Sequence, residues 1–229
     1  DVCSSDLKAG MHRMSWDLRY NPILDERASD DENRAVPHRT YPKANAPWAS
    51  PGEYTVRLTV DGKTYTQPLD LRMDPRVQTP AADLAKLATL TQQMYAATQS
   101  AHAEFLQARG LLAELDKLQG KDVEALKTQV AALAPPPLTG MAAMIARFFG
   151  APPGPPTLTG VTSSLNDAMM ALQDADTAPT ATQVAACERA ETQLRDLLPK
   201  WSAVKTNQLA AFNAKRKAAG QPEVVLPTR

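Results

Sequence analysis

Side chains with nucleophilic, basic or metal-binding chemistry are few and widely separated in this sequence. The three histidines are His12, His38 and His102, and no HExxH pair gives the spacing of a zinc site. Two cysteines, Cys3 and Cys187, are too few for a Cys-rich zinc site, and their positions do not indicate a disulfide. No G-x-S-x-G elbow and no glycine-rich phosphate loop occurs. The sequence therefore predicts no catalytic, cofactor-binding or metal-binding residue.

A group of acidic residues between 21 and 50 is the remaining candidate for chemistry. Its members are Asp25, Glu26, Asp30, Asp31 and Glu32. Their spacing lacks the alternating ligands and central glycine of a calcium loop, and four prolines interrupt any regular element nearby. Nothing places two carboxylates across a cleft, as glycoside hydrolysis requires. We interpret residues 21–50 as a mobile, solvated loop. The alternative is that the acidic residues 25–32 contribute to a hydrolase site.

The charge balance and hydropathy argue against two classes of partner. The 229 residues include 25 Lys plus Arg and 25 Asp plus Glu, so the net charge is zero. Nucleic-acid binding needs a basic surface, and no nucleic-acid partner is predicted. No run of 18 apolar residues occurs, so no membrane span is predicted. The chain begins DVCSSD, with no initiating Met and no signal peptide, which favours a fragment or a processed product.

The first element that could position a site is a β-hairpin over Pro51–Pro75. Two alternating runs flank Asp61 and Gly62, a dipeptide that favours a type I′ turn. One face of the first run is wholly apolar, and it consists of Tyr54, Val56, Leu58 and Val60. A lone hairpin is marginally stable in water, so this face is expected to be covered.

A third strand is predicted over residues 11–20, where Trp16 belongs to an aromatic inner face. Trp48 is expected to pack the end of the preceding loop against the sheet. A β-sandwich needs a second sheet over the apolar face, and no other segment of this sequence supplies one. Either the helices cover the face, or the strands that cover it lie upstream of this chain.

Four helices are predicted after the hairpin, and their apolar residues recur at steps of three and four. The first follows Thr79 and Pro80, with Thr79 as its cap, and ends at Gly120. The others cover 122–133, 158–176 and 182–219, and Pro199 is expected to kink the last. Cys187 lies among apolar residues of that helix, where a thiol is normally an inert packing group.

The proline-rich segment 134–158 is predicted to be an extended linker with one short apolar helix over 141–149. We expect this helix to pack onto the bundle. The alternative is a membrane-surface anchor, for which the single charge of Arg147 is small.

Two segments, AGMHRMSWDLRY and PGEYTVRLTVDGKTYTQPLDLRMDPR, carry a resemblance to a known family. They resemble the C-terminal region of bacterial proteins with sortilin-type, BNR-repeat β-propellers, often described as glycosyl hydrolase-like or sialidase-like. In that family the propeller is followed by an immunoglobulin-like module and a helical tail. The resemblance covers about residues 9–227, including the TAPT turn at 177–180 and the closing AAGQPEV. The first seven residues, DVCSSDL, have no counterpart in it.

The residue patterns predict an α+β fold, in which a small antiparallel β module is followed by an antiparallel four-helix bundle. The resemblance implies that the module is an incomplete immunoglobulin-like one. The module occupies residues 1–76 and the bundle residues 77–229. No Asp-box, S-x-D-x-G-x-x-W, occurs in the sequence, so the propeller and any active site within it are absent from this chain. The strands that usually precede the W-D-L-R strand are also absent, and no catalytic residue is transferred.

The sequence thus favours a non-catalytic accessory region of an exported protein, which packs against or spaces out an upstream propeller. The resemblance implies an extracytoplasmic location, and the expected partner is the propeller of the same parent protein. Two alternatives are a hydrolase whose site includes residues of this chain and a helical protein-interaction module.

Overall fold

The computed structural model describes residues 10–11, 16–23, 46–149 and 154–227. These residues form two strands, β1 (Gly52–Val60) and β2 (Lys63–Leu71), followed by helices. The α-helices are α1 (Ala81–Leu115), α2 (Lys121–Leu133), α3 (Gly140–Phe149), α4 (Leu158–Ala171), α5 (Ala181–Ala203) and α6 (Leu209–Ala218). A π-helical turn, Val204–Gln208, joins α5 to α6, and the backbone stays helical across both junctions.

The hairpin has the predicted turn and the predicted register. Asp61 and Gly62 have φ values of 48° and 76°, the two positive angles that a type I′ turn requires. The strands pair antiparallel, with Leu58 opposite Tyr65 and Tyr54 opposite Leu69. Alternate side chains therefore project to opposite faces, and the predicted apolar face of β1 forms as expected.

The prediction of an immunoglobulin-like module and a four-helix bundle is wrong. The described residues contain a single sheet of two strands and are mostly helical. Residues 12–15 of the predicted third strand lie outside the described residues. The described remainder is not a strand, because Leu18 has a left-handed φ of 62° that interrupts the extended backbone. It contributes only an isolated bridge between Arg19 and Trp48.

The four-helix bundle fails for a different reason, which is that α2 and α4 occupy the same side of the bundle one after the other. Helix α2 contacts α1, the π-helical turn and α6, whereas α4 contacts α1 and α5. No extended contact joins α2 to α4 in the part of the chain that is described. The bundle therefore has three helices at any level, since the α5–α6 helix runs parallel to α1 along its whole length.

Three polar contacts show that parallel arrangement. Near the start of α1, the Thr79 hydroxyl donates to the carbonyl of Asp176, just before α5. Halfway along, Glu104 of α1 accepts from Lys205. Beyond the end of α1, Asp122 accepts from Lys215 of α6 at 2.8 Å. Helices α2 and α4 both run antiparallel to α1. Each of them packs against α1 and against the α5–α6 helix, which run parallel to each other.

The core follows the apolar stripes that the sequence shows. Fully buried residues on α1 recur at steps of three and four, and they meet α4 and α5 across the bundle. The largest buried side chains are Trp201, Met94, Leu111, Leu115, Leu158, Leu165, Met169, Leu172 and Leu197. Two buried threonines of α1 remain satisfied, because Thr91 and Thr98 donate to the carbonyls of Leu87 and Met94, one turn earlier.

The helix ends differ from the prediction at α1 and agree with it at α5. The N-cap of α1 is Pro80 and has no side-chain hydrogen bond, since the hydroxyl of Thr79 is used across the bundle. Gly120, with φ 130°, precedes α2 as its N-cap instead of ending α1. Thr180 begins α5 with a full capping box, in which its hydroxyl and the side chain of Gln183 satisfy each other's backbone amides.

Residues 220–227 return along the bundle, and the side chains of Asn213 and Arg216 on α6 bind their backbone. The amide of Asn213 donates to the carbonyl of Val224 at 2.8 Å, and its oxygen accepts from the Val224 amide at 2.9 Å. Val224 is buried, and the ring of Pro227 lies directly on Gly110 of α1. The absence of a side chain at Gly110 therefore makes room for the end of the chain.

We predict that Gly110→Ala does not give the gain in stability that replacing a helical glycine normally gives. Alanine favours an exposed helix by about 1 kcal/mol, but a Cβ here collides with the Pro227 ring, which must move. Pro227→Ala removes the colliding atoms, so Gly110→Ala should stabilise the chain in that background. Urea unfolding of the unmodified protein, the two single variants and the double variant measures the change in unfolding free energy caused by Gly110→Ala in each background. An equal gain in stability in both backgrounds would show that residues 220–227 do not rest on Gly110.

Helix α3 was predicted to pack onto the bundle, but in the structure it does not. Phe148 and Phe149 are 74% and 86% exposed, and Met141 and Ile145 are also exposed. Ala134 and Leu158 on either side of this segment are fully buried, so the chain leaves the core after one and returns at the other. None of the helices in the described part is long and apolar enough to cross a membrane.

Candidate functional site

The described histidine and cysteine lie apart, on α1 and α5 respectively. His102 is half-buried on α1 beside Phe105, and desolvation lowers its pKa. Cys187 is buried on α5, where burial is the main cause that raises the pKa of its thiol. Among the described residues, no three His, Cys, Asp or Glu side chains are grouped as metal ligands. His12, His38, Cys3 and the acidic residues 25–32 lie outside the described residues.

We predict that Cys187 reacts slowly with thiol reagents in the folded chain. The reactive species is the thiolate, and a raised pKa in a buried setting reduces both its population and its access. In a Cys3→Ser background at pH 8, modification of native protein should be at least about tenfold slower than in 8 M urea. Equal rates in the two conditions would mean that this thiol is accessible in the native state.

A buried polar network crosses the middle of the bundle. One carboxylate oxygen of Glu104 accepts from the indole Nε1 of Trp201 and from Nζ of Lys205, each at 2.7 Å. Lys205 also donates to Gln107 at 3.2 Å, and its ammonium lies 5.4 Å from the Trp201 ring. Lys205 belongs to the π-helical turn, which alters the register of the helix beyond Trp201. This arrangement pairs the charges of Glu104 and Lys205 inside the bundle.

An open groove of about 680 Å³ lies between α1 and α5, near Pro199. Its walls are largely apolar, with Ala97, Leu194 and Leu198 among the lining residues and Glu191 and Arg195 also contributing. Catalytic pockets enclose several convergent polar groups with perturbed pKa values. This groove is shallow and largely apolar, and it does not enclose a set of convergent polar groups.

The apolar face of the hairpin is an exposed apolar surface. Val56 and Leu58 are each 52% exposed, and Val60 and Tyr65 are exposed to a similar degree. Trp16 extends the surface, because its ring meets Tyr54 edge-on at a centroid distance of 5.8 Å. Neither strand makes an extended contact with a described helix. The described helices therefore do not cover this face. Coverage by the helices was the first of the two possibilities that the sequence left open, and the structure does not show it.

A second cluster of aromatic and polar side chains fixes the base of the hairpin to the bundle. The guanidinium of Arg19 lies 3.6 Å from the centre of the Trp48 ring and donates to the carbonyl of Ala46 at 2.8 Å. The side-chain oxygen of Gln173, just after α4, accepts from the backbone amide of Trp48 at 2.9 Å. Tyr95 of α1 donates to the carbonyl of Asn21 at 2.8 Å. These contacts hold residues 16–23 and 46–50 on one end of the bundle.

The sequence predicted the apolar face of the hairpin. It did not predict the polar network at Glu104, nor the cluster around Arg19 that attaches the base of the hairpin to the bundle, here called the Arg19 anchor. The prediction for Trp48 was that it packs the loop end against the sheet, and the structure places its ring on Arg19 instead. A signal for the network was available, since an acidic residue at position 104 interrupts the apolar stripe of α1. The anchor had no such signal, because its partners come from three distant segments.

Comparison of the whole chain with protein-family models, with curated proteins and with solved structures found no match.

Proposed function

We propose that this chain is a non-catalytic accessory region of an exported β-propeller protein of the glycosyl hydrolase-like kind. In this proposal the hairpin packs against the propeller of the same parent protein, and the helical bundle is the rigid support that holds the hairpin in place. The observation that carries the proposal is the exposed apolar face of β1, which no described helix covers. The identity of the parent protein rests on the resemblance of the W-D-L-R and P-G-x-Y-T-V segments.

The exposed face supports a docking role for a physical reason. Contiguous apolar surface on a soluble protein marks an interaction site more often than isolated apolar residues do. An isolated two-stranded sheet is also marginally stable, so a partner that buries Val56 and Leu58 stabilises the hairpin itself. The opposite face carries Thr55, Arg57 and Thr59, which suits solvent. The hairpin is therefore two-sided, with one surface suited to burial.

The non-catalytic part of the proposal rests on the residue chemistry already described. Cys187 is buried, the ring of His102 lies beside Phe105, and neither residue lines the described groove. The proposed extracytoplasmic location rests on the resemblance to the β-propeller family. The acidic residues 25–32 lie outside the described residues, so a role for them in hydrolysis stays a prediction.

Binding of this chain to the separately produced propeller of its parent protein tests the proposal. We expect Val56→Lys with Leu58→Lys to weaken binding by at least about 100-fold, because two apolar contacts are lost and two charges must be desolvated. The control is Thr55→Lys with Thr59→Lys, which adds the same charges to the opposite face and should leave binding within about threefold. Absent binding by the unmodified chain, or equal losses in both variants, would refute the proposal.

A further inference from the structure

The segment between α2 and α4 leaves the buried core and is exposed at most of its described positions. It leaves the bundle at Ala134 and re-enters at Leu158, two residues that are fully buried. The described positions between them, at 135–142 and 154–156, are exposed. Prolines at 135–137, 152–153 and 155–156 flank α3 on both sides, and such sequences act as stiff, extended spacers. In the part of the chain that the structure describes, α3 makes no extended contact with another helix or with the hairpin.

The chemistry of this segment is nearly free of charge. About one residue in five of the whole chain is charged, but in residues 134–158 the only charged residue is Arg147, and no acidic residue occurs. The large apolar side chains of α3 follow the i, i+3, i+4, i+7, i+8 spacing of one helical face, and they are Met141, Met144, Ile145, Phe148 and Phe149. The other residues of α3 are one Gly, three Ala and Arg147.

The composition distinguishes between a protein groove and a lipid surface as the environment of α3. A helix that binds in a groove leaves its outer face in water and carries polar residues there. Apart from Arg147, α3 has only Ala and Gly outside its large apolar face, and its proline-rich flanks are uncharged as well. A segment that is apolar on nearly all sides suits a medium that surrounds it, as the acyl region of a lipid leaflet does.

We propose that α3 inserts into one leaflet of a phospholipid membrane and attaches this chain peripherally to that surface. Ten helical residues extend about 15 Å, roughly half the hydrocarbon thickness, so the helix enters a single leaflet without crossing. The absence of acidic residues removes repulsion from anionic headgroups, and the single Arg adds only a weak attraction to them. Insertion therefore depends mainly on apolar burial, above all of Phe148 and Phe149.

Flotation of the full chain with phosphatidylcholine vesicles tests this proposal. The unmodified chain should float with the vesicles, and 0.5 M salt should change the bound fraction by less than about twofold, since little of the affinity is electrostatic. Adding anionic phosphatidylglycerol should raise binding only modestly. Phe148→Glu with Phe149→Glu should reduce vesicle partitioning at least about tenfold, because two large apolar groups are replaced by charges.

Two controls separate α3 from the other exposed apolar residues. Leu106→Glu on α1 and Leu58→Glu on the hairpin alter residues with comparable exposure, 55% and 52%, and should leave flotation unchanged. All variants should unfold at nearly the same temperature, because these side chains lie outside the core. The proposal is overturned if the unmodified chain does not float, if the α3 variant floats equally well, or if light scattering shows that α3 instead pairs two copies of the chain.

Discussion

Replacing Trp201 by Ala is expected to destabilise this protein by about 3–5 kcal/mol, the range for removing a large aromatic side chain from a core. Trp201 of α5 is completely buried, and its indole Nε1 reaches Glu104 of α1. The substitution also removes the Nε1–H that donates to Glu104, so a cavity forms next to a buried carboxylate. Such a loss is a large part of the total stability of a domain of this size.

Urea unfolding followed by far-ultraviolet circular dichroism measures this effect, and the chain contains a matched control. Trp48→Ala removes the same side chain from a position that is 47% exposed, where the ring stacks on Arg19. It should cost about 1 kcal/mol, because it loses a cation–π contact and little burial. Trp201→Phe should fall between the two, since most of the ring volume is retained without the indole donor. Similar costs for both Ala variants would contradict the described core.

The second large effect is expected at Glu104. Glu104→Ala removes the acceptor shared by Trp201 and Lys205 and leaves a mostly buried ammonium with Gln107 as its remaining contact in the network. Breaking a buried pair by removing one member costs about 3–5 kcal/mol. The Lys205 side chain keeps 24% of its surface exposed, so we expect a lower cost of about 2–3 kcal/mol.

Two comparisons decide whether this cost comes from the buried network. Glu114 lies on α1, as Glu104 does, and forms an exposed i, i+3 ion pair with Lys117. Glu114→Ala breaks this pair and should cost less than about 0.5 kcal/mol of unfolding free energy. Glu104→Leu together with Lys205→Met removes both charges and should recover most of the loss, because no unpaired charge stays inside. If Glu104→Ala is as mild as Glu114→Ala, the network contributes nothing to stability.

The elements set by local sequence were predictable, and they are the ones that the structure reproduces. Asp61-Gly62 determines the hairpin turn because few other dipeptides accept two positive φ angles. The limits of α2 and the start of α5 follow from periodicity, since the helices predicted to begin at 122 and 182 begin at Lys121 and Ala181. The absence of a catalytic group could only be argued from residue types, and it stays a prediction.

The features that depend on contacts between distant segments were not predictable. Counting four periodic segments suggested four helices side by side, but periodicity does not show that α2 and α4 follow each other along one side. The apolar pattern of α3 suggested burial in the bundle, since a pattern does not reveal what covers it. The third strand was inferred from alternation alone, and the left-handed backbone at Leu18 has no signal in a single sequence.

Amide hydrogen exchange across β1 and β2 tests the proposed docking most directly. It compares this chain alone with the same chain joined to the propeller of its parent protein. We expect exchange of the β1 and β2 amides to slow at least about tenfold in the joined protein, because burial of the apolar face stabilises the hairpin against local opening. Exchange in α1 and α5 should change little, since both helices are already packed. Equal exchange of the hairpin in the two proteins would contradict the proposal that its apolar face is a docking surface.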